Sequence, residues 1–344
     1  MTPRQKTIGS KRVTIIDVAQ RAGVDPSVVS RVINNDDRLR IKADTRERVV
    51  AAVRALDYRP NAAARTLRTA KVGAIGLFIP DFANPVYSEI IAGAEAAASL
   101  AGCVLVTGTD EVVGRSEQTY LDLLGSGRVD GVLLAGGSLK KSEQARFEAA
   151  AMPYLFVNRR DRDGSRYVVL DDNRAAQVAV RHLLDLGHRS IAMIGGPSGT
   201  DTARRRRQGY LAAMKKSGEG AESLLMASAD YTPSGGFAAF NEIAESSARP
   251  TAVFVANFAL AIGALKAAER RGIRIPEDLS VVAVHDLALA EYLYPALTTV
   301  QMPLRELGAR AVELLMAHGR TDQIQDTVRE PMRLVEREST AAPR

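Results

Sequence analysis

The chain has 344 residues, about twice the length of an ordinary domain, so two domains or one two-lobed domain are expected. Apolar residues at 46% and charged residues at 25% exclude a wholly disordered or collagen-like chain, and the single cysteine, Cys103, excludes an internal disulfide and a zinc finger. The net charge of +6 is unevenly spread: residues 1–71 carry 16 Lys+Arg against 7 Asp+Glu, and the remainder is slightly acidic.

A basic front joined to a near-neutral body points to a small polyanion-binding module attached to a larger domain, with nucleic acid or membrane lipid as the anion. No apolar run approaches the ~20 residues of a membrane span, and the opening MTPRQKTIGSKR lacks the apolar core of a signal peptide. A cytoplasmic protein is therefore expected, in keeping with one reduced thiol. Cys103 lies in an apolar run, which predicts a buried, inert side chain.

Residues 1–10 read as a basic disordered tail, and 11–60 as a helical domain. In TIIDVAQRAG, Ile15, Val18, Ala19 and Ala22 recur at helical spacing and Gly23 stops the helix. Asp25 is suited to cap a second helix that opens on Pro26, a residue tolerated at the first helical position. On it Val29, Val32 and Ile33 line one side, and Ser27, Ser30, Arg31 and Asn34 the other. A third helix begins near Ala43, where Asp44 and Glu47 offer a capping box, with Val49, Val50, Val53 and Leu56 as its apolar stripe until Asp57-Tyr58-Arg59-Pro60.

Two helices joined by a tight turn, the second presenting short polar residues and an arginine, make a helix-turn-helix that can enter the DNA major groove. Arg31 is the expected guanine reader, because a bidentate arginine pair discriminates by roughly 1–3 kcal/mol. The apolar faces hold Val and Ala rather than Trp, Phe or Leu, which argues against a membrane-surface helix. The next segment, NAAARTLRT over 61–69, is too short for a stable isolated helix and needs a partner to fold.

From Lys71 onward short apolar runs alternate with helical patterns. The runs VGAIGLFI, CVLVTG, GVLLAG and YLFVN are interleaved with helices near Val86–Leu100, Ser116–Leu124 and Ser142–Ala150. A second series follows: a helix near Asn173–Leu186, SIAMIGG, a helix near Thr202–Lys216, TAVFVA, a helix near Leu260–Arg271, and VVAV. Such alternation predicts parallel sheets covered on both faces, in two Rossmann-like lobes with binding at the carboxyl ends of the strands. A final helix over Leu304–Ala317 carries Leu307, Ala311, Leu314 and Leu315 on one stripe.

Neither G-x-x-x-x-G-K-[ST] nor G-x-G-x-x-G occurs, and Gly195-Gly196-Pro197-Ser198-Gly199 is only a weak anion-loop signal. His182, His188, His285 and His318 lack metal-ligand spacing. No cofactor, metal or catalytic group is therefore expected, and an enzyme acting on sugars is disfavoured. Arg204-Arg205-Arg206-Arg207 reads as a mainly solvated basic face with at least one side chain turned elsewhere, since helical residues lie ~100° apart.

The run VTIIDVAQRAGVDPSVVSRVINNDDRLRIKADTRERVVAAVRALDYRPNAAARTLRT resembles the headpiece of the lactose-repressor/galactose-repressor (LacI/GalR) family, and the likeness continues to about Leu334. The resemblance implies an all-α helix-turn-helix headpiece, a hinge helix at 61–70 and an α/β periplasmic-binding-protein-like body of two lobes. These lobes would span 72–171 with 301–330, and 172–300 with 331–340. It implies a homodimeric repressor that binds near-palindromic operator DNA and is controlled allosterically by a sugar or sugar derivative held between the lobes. A solute-binding receptor shares the body, but the headpiece counts against it.

The family's DNA contacts map to Pro26, Ser27, Val28, Ser30, Arg31 and Asn34, and in the hinge to Asn61, Ala64 and Leu67, the last as a minor-groove wedge. Effector contacts map to Tyr87, Arg206, Tyr231, Asn257 and Asp286, with Asp81 and Asp172 as weaker candidates. Three departures bear on the ligand. Phe258 stands where an aspartate is usual after Asn257, and Val284 and His285 replace the usual glycine and aromatic before Asp286. An acidic effector drawn to extra arginines is left open beside a sugar. The tail after Leu334 has no leucine heptads, so a dimer rather than a coiled-coil tetramer is expected.

Overall fold

The computed structural model describes residues 13–33, 36, 38–58, 72–109, 128–136, 145–147, 149, 152–160, 165–216, 225–318 and 322–344. It divides into two compact units, Met1–Val72 and Gly73–Arg344. Asn34, the 1–10 tail, the 61–70 hinge with Asn61, Ala64 and Leu67, and the helix expected at Ser116–Leu124 lie outside the described residues.

The first unit holds α1 (Ile15–Ala22), α2 (Pro26–Ile33) and α3 (Ala43–Ala55). Thr14 and Asp17 cap α1 reciprocally, and Gly23 ends it in the left-handed conformation at φ 65°. Asp25 caps α2 as expected, its carboxylate accepting from the Ser27 amide at 2.8 Å. The capping box expected at Asp44 and Glu47 does not form: Lys42 occupies the N-cap of α3 and no side chain caps it. Val18, Ala19, Ala22, Val29, Val32, Val49 and Ala52 form the core. Val50, expected on the inner stripe of α3, is exposed because it lies about 100° around the helix from Val49.

The second unit contains two six-stranded sheets. The first has the order β11-β5-β4-β3-β1-β2, all parallel, with β1 (Ala74–Ile79), β2 (Val104–Thr109), β3 (Gly131–Leu134), β4 (Tyr154–Val157), β5 (Arg166–Leu170) and β11 (Ile324–Val328). The second has the order β12-β10-β9-β8-β6-β7, with β6 (Ile191–Gly195), β7 (Met226–Ser228), β8 (Ala252–Val255), β9 (Ser280–Val284), β10 (Thr298–Gln301) and β12 (Arg333–Val335). Only β12 is antiparallel. Each lobe thus repeats one doubly wound order, reversing direction between β1 and β3 and again between β6 and β8. Ligand crevices form at such switch points.

The helices of this unit are α4 (Val86–Leu100), α5 (Asp172–Asp185), α6 (Asp201–Lys216), α7 (Pro233–Glu245), α8 (Phe258–Arg270) and α9 (Leu304–Ala317). The central strands β1, β3, β6, β8 and β9 are buried throughout, as continuous apolar runs demand when helices cover both faces. Helices α4 and α9 meet backbone to backbone: a Cβ on Gly308 would stand 2.0 Å from the Ile90 carbonyl oxygen. Strands β5, β7, β10, β11 and β12 and helix α7 were not read from the sequence. Helix α7 starts at Pro233 and carries Gly235-Gly236, which dilute its periodicity, although Phe240 and Ile243 are buried. Cys103 is half-buried rather than buried, packed against the core at the edge of the first lobe.

Candidate functional site

The outer surface of α2 carries the candidate DNA readers. Ser27 and Arg31 are exposed, and Pro26, Val28 and Ser30 are half-buried, while Val29 and Val32 are sealed beneath them. The Arg31 Nε donates to Asp36 at 2.8 Å, and this bond, with the Arg38 amide, lowers the Asp36 pKa. The Arg31 side chain stays 45% exposed.

In the second unit the expected effector residues sit at carboxyl ends of strands. Arg206 lies on α6, which follows β6, and is 2% exposed. Its Nε donates to Asp172 at 2.7 Å and its Nη1 to the Ala256 carbonyl at 2.6 Å. Its Nη2 stands 3.1 Å from His285 Nε2, and its guanidinium lies 5.9 Å from the centre of the Tyr231 ring. Burial works against the Arg206 charge, but Asp172 and the Tyr231 and Tyr87 phenols outweigh it and hold its pKa above the ordinary guanidinium value.

Tyr87, the second residue of α4 in the first lobe, is 6% exposed. Burial raises its phenol pKa, opposed by the charge of Arg159 and a hydrogen bond from it. Tyr231 follows β7 and its hydroxyl is 3.3 Å from Thr202 Oγ1. Gly196 makes room for that ring: a Cβ there would stand 2.1 Å from it. Asn257 is buried as the N-cap of α8, its Oδ1 accepting from the Ala259 amide at 2.7 Å.

Two expectations need correction. Asp286 is not brought to Arg206: its carboxylate pairs with Arg337 Nη2 at 2.8 Å and accepts from Thr299 Oγ1 at 2.7 Å. Asp172, only a weaker candidate from the sequence, is the carboxylate that meets Arg206, and it is completely buried. The arginine run is not mainly solvated, because Arg205 is also buried. Arg205 pairs with Asp172 and Asp201, and it donates from Nη1 to the Leu170 carbonyl at 2.6 Å. Only Arg204 and Arg207 of the four are exposed. Asp81 makes a local turn, accepting from the Ala83 amide at 2.8 Å.

Sequence reasoning passed over Asn158 and Arg159, and noted His285 only as a departure beside Asp286. Asn158 and Arg159 directly follow β4, where its carboxyl end could have drawn notice. His285 follows β9, is 1% exposed and adopts φ 78°, and burial with the Arg206 charge drives its pKa well below the usual imidazole value. Among the described residues no group of His, Cys, Asp and Glu could hold a metal ion, and no helix is long and apolar enough to cross a membrane.

Comparison with known proteins matches residues 14–61 to the bacterial regulatory proteins of the lacI family and residues 180–340 to a periplasmic binding protein-like domain. The ribose operon repressor of Escherichia coli (strain K12) is 34% identical over 305 residues, covering 88% of this chain and 92% of that protein. The lac repressor dimer bound to operator and the anti-inducer ONPF is 29% identical with a TM-score of 0.81, covering 96% of this chain and all of that one. A LacI family regulator from Enterococcus faecium with bound ribose is 28% identical with a TM-score of 0.70, covering 79% of this chain and all of that one. The helix-turn-helix unit and the two-sheet parallel α/β body are those of this group, and the chain belongs to the LacI family of DNA-binding transcriptional regulators.

Proposed function

We propose that this regulator is a cytoplasmic homodimeric repressor of near-palindromic operators, without enzymatic activity, whose DNA affinity is set by a small polyhydroxylated effector bound between its lobes. One observation carries the reading: Arg206 of the second lobe is buried against Tyr231 and His285, and the buried Tyr87 phenol of the first lobe interacts electrostatically with Arg206 and Tyr231. The relatives support it, since one is named for a ribose operon and one structure holds ribose, while the lac repressor is a dimer on its operator. The lacI-type headpiece favours this reading over a solute-binding receptor.

In this account residues 11–60 read DNA, with Pro26, Ser27, Val28, Ser30, Arg31 and Asn34 on the reading face, and 61–70 act as the hinge, with Asn61, Ala64 and Leu67 at the minor groove. Lobe one spans 72–171 and 301–330, and lobe two 172–300 and 331–340. Tyr87, Arg206, Tyr231 and Asn257 contact effector, while Asp286 is held by Arg337. A ligand that prefers one arrangement of the lobes shifts DNA affinity, and DNA shifts ligand affinity by the same factor.

The test is fluorescence anisotropy on an operator selected from random duplexes, with and without effector. Arg206→Ala and Arg206→Lys should abolish the effector response and keep operator affinity within about twofold. An unchanged response in both variants would remove Arg206 from the site.

A further inference from the structure

Among the described residues four buried side-chain atoms of the inter-lobe cluster lack a hydrogen-bond partner: Asn158 Oδ1, Arg159 Nε, His285 Nδ1 and Asp172 Oδ2, the last of which is ion-paired with Arg205. Two of these residues are strained as well. Asn158 at φ 66° and His285 at φ 78° are two of four non-glycine residues at positive φ among those described. Backbone strain at a non-glycine residue persists where the surroundings impose it, often at binding sites. An orphaned buried polar atom is itself destabilising unless something else completes it.

The donor and acceptor character of each atom limits what can complete it. Arg206 has only donors, so its contact makes His285 Nε2 the acceptor and leaves the proton on Nδ1. His285 Nδ1–H and Arg159 Nε–H therefore both seek an acceptor, whereas Asn158 Oδ1 seeks a donor. The charge balance points the same way. Arg204, Arg205 and Arg206 are held by Asp172 and Asp201, and among the described residues no ion pair holds Arg159. Its guanidinium meets the Tyr87 phenol instead. The position that in the sequence reading held a carboxylate for a neutral sugar, Asp286, is turned to Arg337.

We propose that the effector is a hydroxylated anion whose carboxylate or phosphate oxygens are taken by Arg159 and His285, while a ligand hydroxyl donates to Asn158 Oδ1. The proposal rests on the inter-lobe cluster being the effector site. It deepens that reading by naming the ligand's charge.

Isothermal titration of the full chain with D-ribose, D-ribonate and D-ribose 5-phosphate, and with D-glucose, D-gluconate and D-glucose 6-phosphate, tests it. At least one anion should bind about tenfold tighter than its neutral parent, as charge-assisted bonds are the stronger, and the member preferred separates carboxylate from phosphate. Arg159→Gln should erase that preference and Arg159→Lys should retain most of it. Neutral sugars binding as tightly as their anions, failure of every anion to bind, or equal losses for both classes in Arg159→Gln would overturn the proposal. A neutral sugar that binds and also shifts operator affinity would overturn the anion alone and leave the inter-lobe effector site standing.

Discussion

Arg206 donates through Nη2 to His285 Nε2 across 3.1 Å in a space closed to solvent, which fixes the imidazole as neutral. His182 and His188 are likewise held below the ordinary imidazole pKa, mainly by burial. Such groups take up protons more readily in the unfolded chain, so their contribution is full above the unfolded pKa of about 6.5 and lost as pH falls below it. Urea unfolding should show stability declining from about pH 7 to pH 5, with a shallower decline in His285→Gln. A decline equally steep in that variant would contradict the assignment for His285.

Asp172 is completely buried and shared by Arg205 and Arg206. Removing one partner of a buried ion pair leaves the other charge uncompensated, so Asp172→Ala should cost about 3–5 kcal/mol. Asp172→Asn keeps the shape and some of the hydrogen bonding and should cost less. Chemical denaturation reads both, and an Asp172→Ala loss below about 1 kcal/mol would mean that the arginines find other partners.

Gly196 permits the close approach of Tyr231, whose ring flanks Arg206. The added methyl of Gly196→Ala would force the ring aside. Effector affinity should fall on the order of tenfold, corresponding to ~1.4 kcal/mol, while operator affinity without effector holds. Calorimetry and anisotropy separate these two quantities.

Arg31 is 45% exposed and its Nε is held by Asp36, and in the proposed reading its guanidinium pairs with a base. Arg31→Ala should lose about 1–3 kcal/mol of discrimination at one base pair of each half-site and little non-specific affinity. Competition between operator and mismatched duplexes measures it, and equal losses on both would assign Arg31 to phosphate contact.

The main elements were legible because their signals are local. Gly23 and Pro26 punctuate the headpiece helices, and β9 stands out by its unbroken apolar run VVAV. Strand β11, IQDTV, is half-buried at a sheet edge and polar, so it gave no comparable pattern. The site was half legible. The structure places Arg206 beside Tyr231 and His285, and which of His285 and Asp286 faces it depends on a left-handed turn after β9 that spacing does not disclose. Asp172 looked like a helix start, and its role became evident only when the fold set two consecutive arginines against it.

The most direct measurement is selection of bound sequences from a random duplex library by the full-length protein, read with and without whichever of the tested sugars, sugar acids and sugar phosphates binds most tightly. A near-palindromic motif should be enriched, its recovery should change on adding effector, and Arg31→Ala should blur one base in each half. Recovery of duplexes without a common motif would contradict the account.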